Sequence, residues 1–271
     1  MSAFSTEGPD YQSRTEVEGV GSTLVYVPGI DGTGSLFYRQ RPLLQAAGFR
    51  VVTYRLRDAA LSMETLVDDL ARVLDGAGAK GPVTLVGESF GGALSMSFAV
   101  AHASRVSQLV ILNSFPYFRP QIRLRLAVWG LSVVPWKTME LVRRVTAFRL
   151  HSRHTSKHEM RRFLELTAAT TKAGYINRLR ILRGYDLRDR LPRVQIPTLF
   201  LAADQDRFVP SVAQARLMEN LTPNGRMRVL QGHGHICLIA PDLDLAALIA
   251  EWKDDHGASR SIQKEPSEKN S

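Results

Sequence analysis

A serine stands at the centre of the sequence GESFG at positions 87–91, which has the pattern G-x-S-x-G. The apolar run before it, Val83–Val86, is typical of a buried strand, and the residues after it are typical of a helix. A nucleophilic serine on such a tight strand-to-helix turn needs small neighbours, because the turn strains its backbone. The pattern therefore predicts that the Ser89 hydroxyl lies above the carboxyl end of a sheet, where a base can reach it.

A serine nucleophile needs a base, and the base needs a carboxylate to orient it. Two candidate acids, Asp204 and Asp206, follow an apolar run that ends at Ala202. Two candidate bases, His233 and His235, follow a run that ends at Leu230. The chain order serine, acid, histidine, with each group after a predicted strand, predicts that the three meet at one edge of a sheet. The spacing alone leaves the choice within each pair open.

Short apolar runs that alternate with helical patterns supply the elements that would position these groups. Their Val, Leu and Ile residues show little alternation, as expected for strands covered on both faces. The alternation predicts an α/β fold with a mostly parallel, doubly wound sheet and right-handed crossovers. The predicted strands are Thr23–Val27, Val51–Tyr54, Val83–Val86, Gln108–Leu112, Thr198–Ala202 and Met227–Leu230. The predicted helices are Ser62–Leu74, Phe90–His102, Ser211–Glu219 and Leu243–Trp252.

The alternation stops between Pro116 and Pro197, where the sequence predicts several helices and no strand. Residues 119–193 carry 18 Lys and Arg against five Asp and Glu, whereas the rest of the chain is slightly acidic. We interpret residues 116–196 as a helical cap inserted into a core formed by residues 21–115 and 197–256. Residues 1–20 are predicted to be an N-terminal extension, and residues 257–271 a disordered tail.

The composition is that of a globular protein, with 271 residues, 44% hydrophobic and 23% charged, and a net charge of +9. Cys237 is the single cysteine, and neither a secretory signal nor a run of roughly 18 apolar residues is visible, so we expect a cytoplasmic protein.

His151, His154 and His158 have helical spacing, but an exposed cap helix explains them better than a zinc site does. We therefore expect no metal, and the absence of nucleotide-binding and nucleic-acid-reading motifs predicts no cofactor and no nucleic-acid partner.

The elbow, together with a later D-x-D-x-x-V-P segment and a G-x-G-H segment, resembles the α/β-hydrolase superfamily. In that superfamily the second Asp and the final His are catalytic, which implies Asp206 and His235 here. The resemblance also implies an oxyanion hole formed by the backbone amides of Phe90 and, in the loop after the first central strand, Ile30. Pro28 stands where that loop typically has a His, which is a departure from the family pattern.

The loop PGIDGTG at positions 28–34 and the segment GESFGG are similar to the esterase/acyltransferase group that includes plant phytyl ester synthases. Those proteins also carry an H-x-x-x-x-D motif, which this sequence lacks. The motifs and the resemblance predict a serine hydrolase that cleaves a small-molecule ester or thioester of an apolar acid through an acyl-enzyme on Ser89. Two alternatives stay open: transfer of the acyl group to an alcohol, and a catalytically silent binding module with a basic cap.

The cap has an apolar stretch between Ile122 and Trp136, interrupted early by Arg123 and Arg125. It is too short to cross a membrane. The stretch is suited to line a pocket for an acyl chain, and weak contact of the cap with an anionic membrane surface is an alternative role. Ordinary packing of the cap on the core explains it equally well.

Overall fold

A computed structural model describes residues 14–119, 121–133 and 154–262. The strands are β1 (Thr15–Glu18), β2 (Ser22–Val27), β3 (Phe49–Tyr54), β4 (Val83–Glu88), β5 (Val106–Leu112), β6 (Thr198–Ala203) and β7 (Gly225–Leu230). The α-helices within these ranges are α1 (Gln40–Ala46), α2 (Met63–Gly76), α3 (Phe90–Ala101), α4 (Gln121–Val133), α5 (Lys157–Thr167), α6 (Lys172–Ile181), α7 (Ser211–Leu221) and α8 (Leu245–Ile262).

The seven strands form one sheet in the order β1-β3-β2-β4-β5-β6-β7. All neighbours are parallel except β1 and β3, so the predicted mostly parallel sheet is confirmed. The chain enters the centre at β2, adds β3 on one side and then crosses to β4 on the other. The loops after β2 and β4 therefore open side by side, at the switch point where ligands bind in open α/β sheets.

Helices cover both faces of this sheet. Successive strand residues point to opposite faces, so each of the strands β2 to β6 contributes to two apolar clusters. Val25 and Val27 pack in one apolar cluster with residues of α2 and α3. Leu24 and Tyr26 pack in a second cluster, with residues of α1 and α8. The two clusters cover opposite faces of the sheet, so the loops at its carboxyl edge extend from a packed core.

The two ends of the described chain differ from the sequence-based expectations. Residues 15–18, within the predicted N-terminal extension, form the edge strand β1, which pairs antiparallel with β3. Its sequence TEVE has one apolar residue and so carries no signal of a buried strand. At the other end α8 continues to Ile262, past the start of the predicted disordered tail. Residues 263–271 of that tail lie outside the described residues.

The chain between β5 and β6 forms α4, α5 and α6. On its way out and back it pairs with itself, since Tyr117 forms an antiparallel bridge with Asp186. The Leu187 amide also donates a hydrogen bond to the Pro116 carbonyl at 2.7 Å. The helical segment thus leaves and re-enters the core at one place. Across the described ranges, no helix is long and apolar enough to pass through a bilayer.

Candidate active site

Ser89 sits on the turn between β4 and α3 in a conformation that few residues adopt, with φ 54° and ψ −116°. Hydrogen bonds to the neighbouring strand and its loop hold the turn: the Ser89 amide donates to the Leu112 carbonyl at 2.8 Å, and the Ser114 hydroxyl donates to the Ser89 carbonyl at 2.7 Å. It also needs Gly91, because a Cβ there would lie 2.0 Å from the Val27 carbonyl oxygen. These contacts hold the strained serine at the carboxyl edge of the sheet.

His235 and Asp206 reach Ser89 from the loops after β7 and β6. Nε2 of His235 lies 3.0 Å from the Ser89 hydroxyl oxygen, and its Nδ1 lies 2.7 Å from Oδ2 of Asp206. The side chains of His235 and Asp206 are 7% and 0% exposed. Serine, imidazole and carboxylate therefore form one continuous hydrogen-bonded chain that is shielded from water.

The Asp206 carboxylate is held by donors of its own loop as well as by His235. The amides of Phe208 and Val209 donate to Oδ1 at 2.8 and 3.0 Å, and the Ser211 hydroxyl donates to Oδ2. Burial raises the pKa of Asp206, but the hydrogen bonds and the charge of His235, with the loop donors, outweigh it and lower the pKa below its usual value. The carboxylate is therefore ionised at neutral pH.

The two rival residues take other positions. Asp204 accepts a hydrogen bond from the Gly232 amide at 2.7 Å and so ties the acid loop to the histidine loop. His233 is buried, and its Nε2 lies 3.7 Å from the carboxylate of Asp242. The structure thus brings Asp206 and His235, rather than their neighbours, to the serine.

The loop after β2 forms a tight turn against the nucleophile. The Gly32 amide donates to the Gly29 carbonyl at 3.0 Å, which closes the turn around Ile30. A Cβ added to Gly29 would lie 3.9 Å from Cβ of Ser89, so the loop runs close to the serine. Phe90 is the first residue of α3, and its amide therefore has no partner within the helix. The loop therefore lies beside the nucleophile, and the oxyanion-donor roles of the Ile30 and Phe90 amides remain predictions.

A comparison with known families bears on this site. Residues 22–240 match the family model described as alpha/beta hydrolase fold. The chain belongs to this family. The match includes Ser89, Asp206 and His235, so the hydrogen-bonded chain lies inside the hydrolase domain.

Two relatives and one solved structure illustrate the range of proteins similar to this α/β hydrolase. A protein of Azorhizobium caulinodans, provisionally named carbamate hydrolase RutD, is 28% identical, and the match covers 87% of this chain and 93% of the length of that protein. Phytyl ester synthase 1 of Arabidopsis thaliana is 25% identical over 84% of this chain but 36% of its own. An esterase from Thermogutta terrifontis superimposes with a TM-score of 0.78 at 20% identity, over 89% of this chain and 92% of its own. That last likeness shows the fold alone.

The hydrolase site contains a buried acid that sequence reasoning missed. Glu88, directly before the nucleophile, is 4% exposed and accepts a 2.9 Å hydrogen bond from the Tyr26 hydroxyl. Burial raises the pKa of Glu88 to about 7, although the nearby His235 and the hydrogen bond from Tyr26 lower it. The signal in the sequence was an acidic residue at the end of an otherwise buried strand.

The apolar stretch of the cap is only partly described, because Val134 and Trp136 lie outside the described residues. Within α4, Val128 is buried, whereas Leu126, Trp129 and Val133 are exposed. The candidate zinc residue His151 is also outside the described residues, and His154 contacts the Asp242 carboxylate at 3.2 Å. Within the described ranges no cluster of three or more potential ligands is arranged to hold a metal ion.

Proposed function

We propose that this protein is a serine hydrolase that cleaves carboxylic esters or thioesters of apolar acids through an acyl-enzyme on Ser89. The observation that carries the proposal is the chain of two hydrogen bonds, 3.0 and 2.7 Å long, from Ser89 through His235 to Asp206. A second support is the strained backbone of Ser89, which holds its hydroxyl at the switch point of the sheet, within reach of His235.

In the proposed reaction Ser89 Oγ attacks the substrate carbonyl while Nε2 of His235 takes its proton. Asp206 accepts a hydrogen bond from Nδ1 of His235, which keeps the imidazole in the tautomer that can take that proton and stabilises the imidazolium. The tetrahedral intermediate then collapses, and the imidazolium gives the proton to the departing alcohol or thiol. Water attacks the acyl-enzyme by the same route, releases the acid and restores Ser89.

The negative charge on the carbonyl oxygen needs donors that are already in place. The amides of Phe90 and Ile30 are the proposed pair, and such a donor contributes about 3 kcal/mol to the transition state in comparable sites. The Phe208 ring supports an apolar substrate, because it lies 5.1 Å from the His235 ring and is 49% exposed. An acyl or leaving group entering the site can therefore pack on this ring.

The test is turnover of p-nitrophenyl esters of increasing chain length, together with labelling by a fluorophosphonate. We expect Ser89→Ala to lose both, whereas Ser107→Ala, which changes an exposed serine of β5, keeps both. Equal turnover by the wild type and Ser89→Ala would end the proposal. Equal labelling of the two proteins would do the same.

Carbamate cleavage is a second candidate, favoured by the 28% identity to the relative named as a carbamate hydrolase. Attack on a carbamate forms the same kind of tetrahedral intermediate, so the same residues serve. Matched p-nitrophenyl ester, thioester and carbamate substrates distinguish the classes by their kcat/KM values. Product analysis with an added long-chain alcohol tests acyl transfer, which the comparisons do not favour.

A further inference from the structure

Arg178 on α6 is among the largest fully buried side chains of the described protein, with a side chain 2% exposed. Its guanidinium extends from the helical segment to the loop after β2. Nε donates to the Ile30 carbonyl at 2.8 Å, and Nη2 donates to the Asp31 carbonyl at 3.1 Å. Nη1 donates to the Asp58 carboxylate at 3.2 Å. One buried cation therefore holds two successive carbonyls of the turn that lies against Ser89.

The surrounding backbone leaves room for this guanidinium. A Cβ on Gly32, whose φ is +70°, would lie 2.6 Å from the central guanidinium carbon of Arg178. A Cβ on Gly174 would lie 2.0 Å from the Asp58 carboxylate that pairs with it. Glycine at both positions lets the cap helix and the core loops approach closely around the ion pair.

Neighbouring cap residues also bind Asp31 and Asp58, two of the three core residues to which Arg178 donates hydrogen bonds. The Thr170 hydroxyl donates to the Asp31 carbonyl at 3.2 Å, and the Thr171 hydroxyl donates to the Asp58 carboxylate at 2.8 Å. The Asn177 side chain donates to the Asp58 carbonyl at 2.9 Å. A buried charge is retained only where its partners are well placed. Here Arg178 of the cap binds groups of the core, and its partner Asp58 in the core binds further groups of the cap.

We infer that Arg178 is a positioning residue for the oxyanion loop, and this inference rests on the proposed function. The Ile30 amide shares its peptide plane with the Gly29 carbonyl, which accepts the Gly32 amide that closes the turn. Arg178 holds the next two carbonyls of the same turn, so it stabilises the turn that sets the direction of the Ile30 amide. Charge-assisted bonds are stronger than neutral ones, so they hold this amide in place before the substrate arrives. The correct seating of the cap on the core thereby becomes a condition for catalysis.

The alternative is that Arg178 only joins the cap to the core. The two roles differ in their effect on the transition state. If Arg178 only joins the cap to the core, its loss lowers the stability of the protein but leaves kcat of the correctly folded site unchanged. An arylboronic acid distinguishes them, because its adduct with Ser89 is tetrahedral and places an oxygen in the oxyanion hole. Calorimetric titration gives both the number of folded sites and their affinity, so partial unfolding does not mimic the effect.

The experiment compares Arg178→Met and Arg178→Lys with Arg180→Met, which changes an exposed arginine on the same helix. We expect Arg178→Met to lower kcat per folded site by about 10²- to 10³-fold, the effect of losing one oxyanion donor. We expect KM to change by less than about threefold, because ground-state contacts with the substrate are kept. The boronic acid should bind the variant correspondingly more weakly, while Arg180→Met matches the wild type.

Thr170→Val is the milder variant for the case in which both Arg178 variants fail to fold. It removes one bond to the Asp31 carbonyl without leaving a buried charge unpaired, and we expect a loss of kcat of about three- to tenfold. If the folded variants keep wild-type kcat and boronic acid affinity, the positioning role is wrong while the proposed function stands. If the wild type neither turns over esters nor reacts with a fluorophosphonate, both are overturned.

Discussion

The side-chain nitrogen of Asn113 donates a 2.8 Å hydrogen bond to the backbone carbonyl of His235. The oxygen of the same amide group accepts a 2.8 Å hydrogen bond from the backbone of Ala203, at the end of β6. Asn113 is 1% exposed and has φ 47°, a conformation that Asn tolerates better than most residues. One buried side chain thus joins the end of β6, which leads to Asp206, to the backbone of His235.

We predict that Asn113→Ala destabilises the protein by about 2–5 kcal/mol, because two buried backbone groups lose their partner. The histidine loop loses its anchor, so kcat should also fall by more than about tenfold. Urea unfolding and steady-state kinetics measure the two effects. The control is Asn224→Ala, which removes an exposed bond to the Gln195 carbonyl and should cost less than about 1 kcal/mol. Similar results for the two variants would contradict the prediction.

Asp206→Asn should lower kcat by about 10³- to 10⁴-fold with little change in KM, because an amide does not hold the imidazole in the reactive tautomer. Asp204→Asn should change kcat by less than about threefold, since its amide oxygen can still accept the bond from Gly232. Ester kinetics with matched protein concentrations check both. A larger loss in Asp204→Asn than in Asp206→Asn would reverse the assignment of the acid.

Glu88→Gln should change how stability depends on pH. The pKa of Glu88 is about 7 in the folded protein, against 4.5 for a free carboxyl, so the folded state binds the proton more tightly. The stability this provides is fully present below pH 4.5 and is lost as the pH rises to about 7. Gln resembles the protonated acid and keeps the acceptor for Tyr26, so it does not suffer this loss.

The stability of Glu88→Gln relative to the wild type should therefore increase by on the order of 3 kcal/mol between about pH 4.5 and pH 7 and stay level above about pH 8. Urea unfolding at several pH values measures it. Glu251→Gln, which changes an exposed acid paired with Arg228, should show no such trend over that range. A constant difference between Glu88→Gln and the wild type would show that Glu88 does not titrate in this range.

Gly91→Ala should destabilise the protein by about 3 kcal/mol or more, or prevent folding. The added methyl group would lie 2.0 Å from the Val27 carbonyl oxygen and 2.5 Å from that of Pro28, and both are backbone atoms. Gly81→Ala is the control, because no atom lies within 4 Å of a Cβ built there. Thermal unfolding and the soluble yield compare the two. A melting temperature of Gly91→Ala equal to that of Gly81→Ala would disprove the steric argument.

The sequence by itself determined the features that depend on residues close together in the chain. Most strands were predictable because a strand buried on both faces is an apolar run, whereas β7 is partly exposed and was found from its few apolar residues. The observed bounds of β2 to β7 extend the predicted ones by at most two residues at either end. The elbow was predictable because its strained turn requires glycines at fixed spacing around Ser89. The edge strand β1 was not, since it is mostly exposed and owes its conformation to pairing with β3.

Only the tertiary structure decided which of several similar residues reach the site. Spacing alone left Asp204 and Asp206 equivalent. The fold separates them, because Asp204 accepts the Gly232 amide whereas Asp206 is hydrogen-bonded to His235, 29 residues away. In the sequence Arg178 is one of many arginines in a basic segment, and the fold buries it against a loop 148 residues earlier. Contacts between distant segments form only when the sheet and the cap assemble, so no local pattern carries them.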